Sequence, residues 1–326
     1  MPERMPDRAA SQNAPRYALI GAAGYIAPRH LNAIAETGGR LDVAYDPSDS
    51  VGIMDGHFPE AAFYTEFERF EADIHDRVGM GQPIERVAIC SPNHLHRAHA
   101  SFAMRAGADA ICEKPLVLDP ADLDALARTE AQTGQRTWSI LQLRLHPAII
   151  ALKERVEAQP DIVHDVDLGY YTSRGAWYHA SWKGDVTRSG GIATNIGVHF
   201  FDMLAFVFGR KTVSVVHHRA IDAAAGYLEY ERARVRWLLS INRDHLPART
   251  PQGQSTFRSI TVDGEEVEFS GGFSDLHTES YKAILAGQGY GLDAARPSIE
   301  AVSEIRNAPT EPRRDEAHPE LAWIVG

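Results

Sequence analysis

Cysteine is scarce in this chain: Cys90 and Cys112 are the only two among 326 residues. Two thiols cannot build a disulfide framework, and with no Cys-x-x-Cys pair they offer no structural zinc site. Both fall at the ends of expected buried strands and read as buried thiols. Positive charge is short as well, with 33 Lys and Arg against 44 Asp and Glu and a formal net charge of −11. The cations are scattered rather than gathered on one face, which argues against a nucleic-acid partner. No stretch approaches the roughly eighteen uncharged apolar residues of a membrane span. Met1 to Arg16 is polar and lacks the hydrophobic core of a signal peptide, so it is expected to be a disordered lead, with the protein in the cytoplasm. A small molecule is the expected ligand.

The length exceeds one ordinary core and points to two domains. In the first, short apolar runs alternate with helical segments: Tyr17 to Ile20, Leu41 to Tyr45, Ile84 to Cys90, Ala108 to Ile111 and Thr137 to Leu141. That alternation predicts an α/β, doubly wound parallel sheet over residues 17–145. The second half changes character. Asp165 to Thr172, Thr212 to Ile221, Gly226 to Glu231, Arg234 to Ile241, Phe257 to Val262 and Glu266 to Phe269 read as strands of a large, mostly antiparallel open sheet. Gly272 to Gly287 and Ser298 to Arg306 read as closing helices of a domain over 146–308, followed by an extended tail over 309–326. Ser50 to Met80 carries no usable motif.

The ligand edge of the first sheet carries the chemistry. After the first strand comes Gly21-Ala22-Ala23-Gly24-Tyr25-Ile26-Ala27. Gly21 permits a tight turn, Gly24 lets backbone approach a pyrophosphate, and the amides near Tyr25 and Ile26 face it from a helix start, with Ala23 also expected at the cofactor. Asp46 lies 22 residues after Gly24 (46 − 24), where a carboxylate meets the adenosine ribose hydroxyls and repels a 2′-phosphate. No arginine follows it, so NAD is favoured over NADP. The loop Ser91-Pro92-Asn93-His94-Leu95-His96 also lies on this edge. A metal reading of His94, His96 and His99 fails on spacing, and Ser91, Asn93 and His96 are expected to contact the cofactor ribose. Glu113-Lys114-Pro115 ends a buried strand and aims Lys114 into the crevice. Gln142 and Arg144 fall at the next strand end; Arg144 either reaches cofactor or substrate, or pairs with an acidic neighbour.

The second domain supplies Arg174, Trp177, Tyr178, Trp182 and Lys183, flat rings beside cations that suit a nucleotide base and its phosphates. Asn195 and His199 are four apart, on one face of an expected helix running to Phe208, behind the paired glycines Gly190 and Gly191.

The Gly21 loop, Ser91-Pro92-Asn93, Glu113-Lys114-Pro115 and Gly190 through His199 together resemble the Gfo/Idh/MocA oxidoreductases, over about Tyr17 to Arg306. Ile20 to His30, Leu141 to Pro147 and Ala193 to Asp202 are similar to the UDP-N-acetyl-glucosaminuronate 3-dehydrogenases of bacterial O-antigen sugar biosynthesis. Two departures stand out: Asn195 occupies a position where many members carry aspartate, and the second glycine of the cofactor loop is displaced by one. The resemblance implies a Rossmann domain binding NAD and a UDP-sugar substrate oxidised at C3. It further implies a homotetramer built through the second-domain sheets, with 2-oxoglutarate reoxidising NADH in some members.

Oxidising a secondary alcohol requires a hydride acceptor and a proton acceptor. His199 is the natural base near neutrality and Lys114 the group that stabilises the developing alkoxide, although the two roles can be exchanged. The rival readings are another sugar or cyclitol dehydrogenase of the same architecture, and a non-catalytic NAD-binding regulator.

Overall fold

The structure, a computed structural model, describes residues 14–267, 275–312 and 316–325. Six strands, β1 (Arg16–Ile20), β2 (Arg40–Tyr45), β3 (Ala62–Tyr64), β4 (Arg86–Ile89), β5 (Asp109–Cys112) and β6 (Thr137–Ser139), form one sheet. All pair in parallel, in the order β3-β2-β1-β4-β5-β6. This is the strand order of a dinucleotide-binding fold, whose ligand crevice lies at the carboxyl ends of the strands where the order reverses, between β1 and β4. The flanking helices are α1 (Ala27–Glu36), α2 (Phe67–Gly79), α3 (His96–Arg105) and α4 (Pro120–Thr133). β3 and α2 come from the stretch that carried no motif. The expected lead lies outside the described residues up to position 13, and Arg16 belongs to β1.

After α5 (Pro147–Glu157) come β7 (His164–Thr172), three short helices, α6 (Ala176–Ala180), α7 (Val186–Ser189) and α8 (Gly191–Asn195), and then α9 (Val198–Phe208). β8 (Lys211–Arg219), β9 (Ala223–Tyr230), β10 (Ala233–Ser240), β11 (Thr256–Val262) and β12 (Glu265–Glu266) complete a second sheet in the order β12-β11-β7-β10-β9-β8. Its pairs are antiparallel except β7 with β10. One face packs Val166, Leu168, Leu228, Val235, Trp237 and Leu239 against the apolar side of α9, the alternation expected of strands with one core face.

Four expectations need correction or completion. Asn195 and His199 do not share a continuous helix: the chain bends by 46° between α8 and α9. A Cβ at Gly197 would lie 2.6 Å from both the Ala193 carbonyl and Leu239, so the bend brings backbone and core too close for any side chain. The chain also returns to the first domain, through α10 (Leu276–Leu285), which packs on α1 with Tyr281 stacked on Tyr17 at 6.1 Å. α11 (Leu292–Asn307) then bridges α4 and α9, so no single point divides the two domains. The tail is not simply extended: α12 (Leu321–Val325) seats Leu321 on Tyr171, Ala225 and Leu238 at the outer face of the second sheet. Of the last expected strand only Glu266 and Val267 lie within the described residues, and Gly272 to Ser274 of the closing helix lie outside them. No single helix among the described residues is long and apolar enough to cross a membrane.

Candidate active site

The cofactor loop is built by a close approach. Gly21 has φ +91°, and a Cβ there would sit 2.7 Å from the Cys90 carbonyl carbon, so the ends of β1 and β4 meet only because residue 21 is glycine. Gly24 presses on the Gly21 carbonyl, and Ala27 is fully buried where α1 meets the sheet. The amides of Tyr25 and Ile26 have no partner among the described residues and stand at the amino end of α1, where helix geometry leaves donors for an anion. Ala23 differs: its amide donates to Asp46 at 2.9 Å. Asp46, buried at the end of β2, also accepts from the Ser48 amide at 2.9 Å, so its carboxylate is fixed with lone pairs to spare for ribose hydroxyls. These residues fit a dinucleotide with an unphosphorylated adenosine ribose.

NAD is therefore expected to bind at least tenfold more tightly than NADP, since unit charges about 5 Å apart at an effective dielectric near 20 repel by roughly 3 kcal/mol. Asp46→Asn keeps an acceptor for Ala23 while removing the charge, and should lose most of the preference. Calorimetric titration with both nucleotides checks this; NADP as the tighter ligand of the wild type would contradict it.

The histidine-rich loop is a brace. His96 Nδ1 faces the Pro115 carbonyl at 2.7 Å and Nε2 the Ser91 carbonyl at 2.8 Å, while His99 Nδ1 pairs with Ser91 Oγ at 2.8 Å. His96 thus pins together two ligand-edge loops and is not available for the ribose contact expected of it; His99, stacked on Phe67, is pushed by burial to about 4 and stays neutral. Asn93 reaches across to the second domain, donating to the Ser189 carbonyl at 2.9 Å and to Asn195 Oδ1 at 3.3 Å. Arg144 follows its second alternative: Nε and Nη2 grip both oxygens of Asp202 at 2.9 and 2.7 Å, and Nη2 also donates to the Ala294 carbonyl. Gln142 is buried at the sheet edge, and its Oε1 has no partner among the described residues.

Lys114 and His199 lie half-buried where the domains meet, and Lys114 Nζ approaches the Asn195 carbonyl at 3.5 Å. Burial pulls the lysine below its ordinary value. The Glu113 carboxylate opposes that shift, and Lys183 and Arg174 add to it. Burial, with the Lys114 ammonium beside it, holds His199 well below the usual histidine range. An imidazole kept neutral in this way is ready to take a proton.

From the second domain, Asn195 Nδ2 donates to Tyr178 Oη at 2.8 Å, which fixes the buried Tyr178 beneath the exposed Trp177. Lys183 Nζ lies 4.3 Å from the Trp182 ring centroid and 5.8 Å from that of Trp177. Among the described residues Lys114, Lys183 and Arg174 have no carboxylate partner within salt-bridge distance, and each of the other two cations lowers Lys114. Glu113 offsets one of these three charges, and the surplus of cations beside two indole rings makes a site for a polyanion with a flat group.

Two residues at the site were not singled out in the sequence. His30 on α1 and His277 on α10 both point Nε2 at Glu113 Oε1, at 3.1 and 2.8 Å. His30 lies on the buried face of α1 within the similar block, one turn from the phosphate loop, which is the signal that marks it. Nothing in the sequence brings His277 to the same carboxylate. These three are the one group of candidate metal ligands among the described residues, and their ligating atoms are turned on one another as hydrogen-bond partners.

A family model described as an oxidoreductase family, NAD-binding Rossmann fold, matches residues 15–140, and its companion, the C-terminal alpha/beta domain, matches residues 162–245. The WlbA (WbpB) dehydrogenase of Thermus thermophilus, crystallised with NAD and UDP-GlcNAcA and also with NAD and alpha-ketoglutarate, is 51% identical, with a TM-score of 0.91 over 94% of this chain and 100% of that one. The WlbA dehydrogenase of Bordetella pertussis shares the fold at 18% identity, with a TM-score of 0.74 over 92% of this chain and 98% of that one. Among curated proteins, the inositol 2-dehydrogenase of Rhizobium meliloti is 29% identical over 65% of this chain and 61% of its own length, so the match spans about six-tenths of that relative. With the glycine loop, the Glu113-Lys114-Pro115 strand end and the mixed second sheet all in place, the chain belongs to the Gfo/Idh/MocA oxidoreductase family.

Proposed function

We propose that the protein oxidises the C3 hydroxyl of UDP-N-acetyl-glucosaminuronic acid to a ketone. The observation that carries this reading is the surplus of cations among the described residues, Lys114, Lys183 and Arg174 against the one Glu113 carboxylate, beside Trp177 and Trp182. An uncharged cyclitol leaves that surplus unbalanced, whereas a UDP-uronate brings a diphosphate, a carboxylate and a stacking base. Bound NAD supplies the hydride acceptor. His199 takes the hydroxyl proton at its free ring nitrogen, and the Lys114 ammonium donates a hydrogen bond to the same oxygen as negative charge develops there. Tyr178 and Asn195 hold the second-domain wall of the site in place.

The C3 ketone is the electrophile an aminotransferase needs, which fits a cytoplasmic role in O-antigen sugar biosynthesis. A dianionic 2-oxoglutarate entering the same cationic site would take hydride back from NADH at its ketone carbon, and the proton held by His199 would complete the secondary alcohol. A homotetramer through the outer face of the second sheet, where Asp165 and Arg234 pair in register and are both exposed, completes the reading; light scattering should give a mass of four chains.

UDP and UDP-N-acetyl-glucosaminuronate should raise the melting temperature in the presence of NAD, because a ligand of the folded state alone stabilises it, and inositol should not. Absence of any shift with the UDP-sugar would sink the substrate assignment. The pH dependence separates the two proton acceptors. With His199 held below about 6.5, kcat/KM should fall on the acid side only as the medium passes below that value, stay flat through neutrality, and fall again on the alkaline side where the Lys114 ammonium loses its proton. A rate that climbs through pH 8 and above would make Lys114 the base.

A further inference from the structure

Glu113 is an almost fully buried carboxylate that receives hydrogen bonds from three directions. His30 Nε2 on α1 and His277 Nε2 on α10 both donate to Oε1, and the Lys114 amide donates to Oε2 at 3.1 Å. His30 Nδ1 pairs in turn with the Tyr281 hydroxyl at 2.7 Å, and Tyr281 is itself fully buried on α10. With His30 donating through Nε2, its Nδ1 accepts from Tyr281, so the chain of donors runs in one direction, from Tyr281 through His30 to Glu113. His277 Nδ1 is buried with no partner among the described residues, where its Nε2–H bond to Glu113 is its single polar tie.

From this arrangement we infer that His30, His277 and Tyr281 are positioning residues for the reaction, clamping the Glu113 carboxylate from two helices so that it fixes the Lys114 backbone and faces the Lys114 ammonium with a permanent counter-charge. The inference rests on the reading of Lys114 and His199 as the reacting pair. It adds a physical link between cofactor and catalytic lysine, because the Tyr25 and Ile26 amides lead directly into α1, which carries His30 in its first turn and a half. Burial alone would drive the Glu113 proton on, but the bonds from His277 and His30 outweigh it and keep the group ionised, while burial keeps His30 itself neutral. The remaining titratable neighbours are Cys90 and Cys112 at the ends of the adjoining strands, whose thiols burial and Glu113 push well up, His96 of α3, and His199; Asp46 faces Cys90. None of these replaces the two histidines as a donor to the carboxylate.

Glu113→Gln tests the charge at nearly constant volume. The carboxylate raises both Lys114 and His199 toward their protonated forms, so its removal should move both limbs of the pH profile of kcat/KM in the same direction, to lower pH. Damage to packing alone would lower the rate and leave the limbs in place. His277→Leu and His30→Leu should lower kcat roughly tenfold to a hundredfold, the cost of misplacing a reacting group by a fraction of an ångström to an ångström. His277→Gln and His30→Gln, which place an amide N–H near the lost Nε2–H, should restore most of it. Should the leucine variants fail to fold, the glutamine variants and Tyr281→Phe, which removes only the hydroxyl, carry the comparison, with NAD affinity as the check on the folded state. A Glu113→Gln variant that binds NAD normally with unshifted limbs, or glutamine variants as impaired as leucine ones, would overturn the inference. Loss of wild-type activity to a chelator would overturn it too, by making the cluster a metal site. If Lys114→Ala is fully active, the reading of the reacting pair fails; if Lys114→Ala is inert while the variants around Glu113 are normal, only the positioning inference fails.

Discussion

Lys114→Ala and His199→Ala are each expected to lower turnover by roughly two to four orders of magnitude, the range for losing a positioned acid-base or oxyanion group. NAD affinity should change little, because the groups that fit the phosphates lie in the Gly21 loop and the one that fits the ribose is Asp46. The combined variant should lose less than the product of the two single losses. In the proposed reaction both groups serve one oxygen, so removing either should disable the same step and leave the second removal less to disrupt. The geometry gives a reason to expect the pair to be coupled even before substrate arrives: the Lys114 ammonium helps hold His199 in its neutral form. Single-turnover NADH formation with saturating UDP-sugar, in wild type, both single variants and the double, measures all four corners. Near-normal rates in both single variants would refute the pair, and a loss confined to one would leave that residue as the only group acting on the proton.

The second large effect is expected away from the chemistry, at Asp202. Its carboxylate is buried, is pushed up by that burial, and is held by the bidentate grip of Arg144, whose guanidinium lies between Phe206 and Tyr290 at 5.2 and 5.0 Å from their ring centroids. Burying two charges costs several kcal/mol apiece, so the pair as a whole adds little net stability. Breaking it is another matter. Asp202→Ala leaves a guanidinium nine-tenths enclosed with no counter-charge and should destabilise the fold by about 3–5 kcal/mol. Asp202→Leu combined with Arg144→Leu should recover a good part of that loss, since no orphan charge remains. Urea unfolding of the single and double variants supplies the numbers; a single-variant loss below about 1 kcal/mol would show that water or a neighbour replaces Asp202. Because Asp202 lies three residues after His199 on α9, the same substitution should also lower turnover.

Most of the cofactor half was legible in the sequence, because its signals are local. Glycine at a strand-to-helix turn, an acid at the end of the next strand and a proline after Lys114 each constrain a few bonds of their own neighbourhood. The strands of the second sheet were legible as runs, yet the parallel pairing of β7 with β10 was not, since pairing partners are a long-range choice. The helix through Asn195 and His199 read as continuous because its apolar pattern crosses Gly197 without a break. What forbids continuity is contact with Ala193 and Leu239, and Leu239 is a residue of another element. Arg144 and His96 were legible as polar groups on the ligand edge, but their partners decide their roles. Asp202 is 58 residues from Arg144, and the atoms that hold His96 are backbone carbonyls with no residue identity to read. His277 is 164 residues from Glu113, and only the return of α10 to the first domain joins them.

The central claim is hydride transfer from C3 of a UDP-uronate under the control of Lys114 and His199. UDP-N-acetyl-glucosaminuronic acid carrying deuterium at C3, mixed with enzyme and NAD in a single turnover, tests it most directly. The account predicts that deuterium passes to the nicotinamide, that NADH formation slows relative to the unlabelled sugar, and that Lys114→Ala slows the transfer by roughly two to four orders of magnitude. Cofactor reduced without label, or no reduction beside ready oxidation of an uncharged sugar, would contradict it.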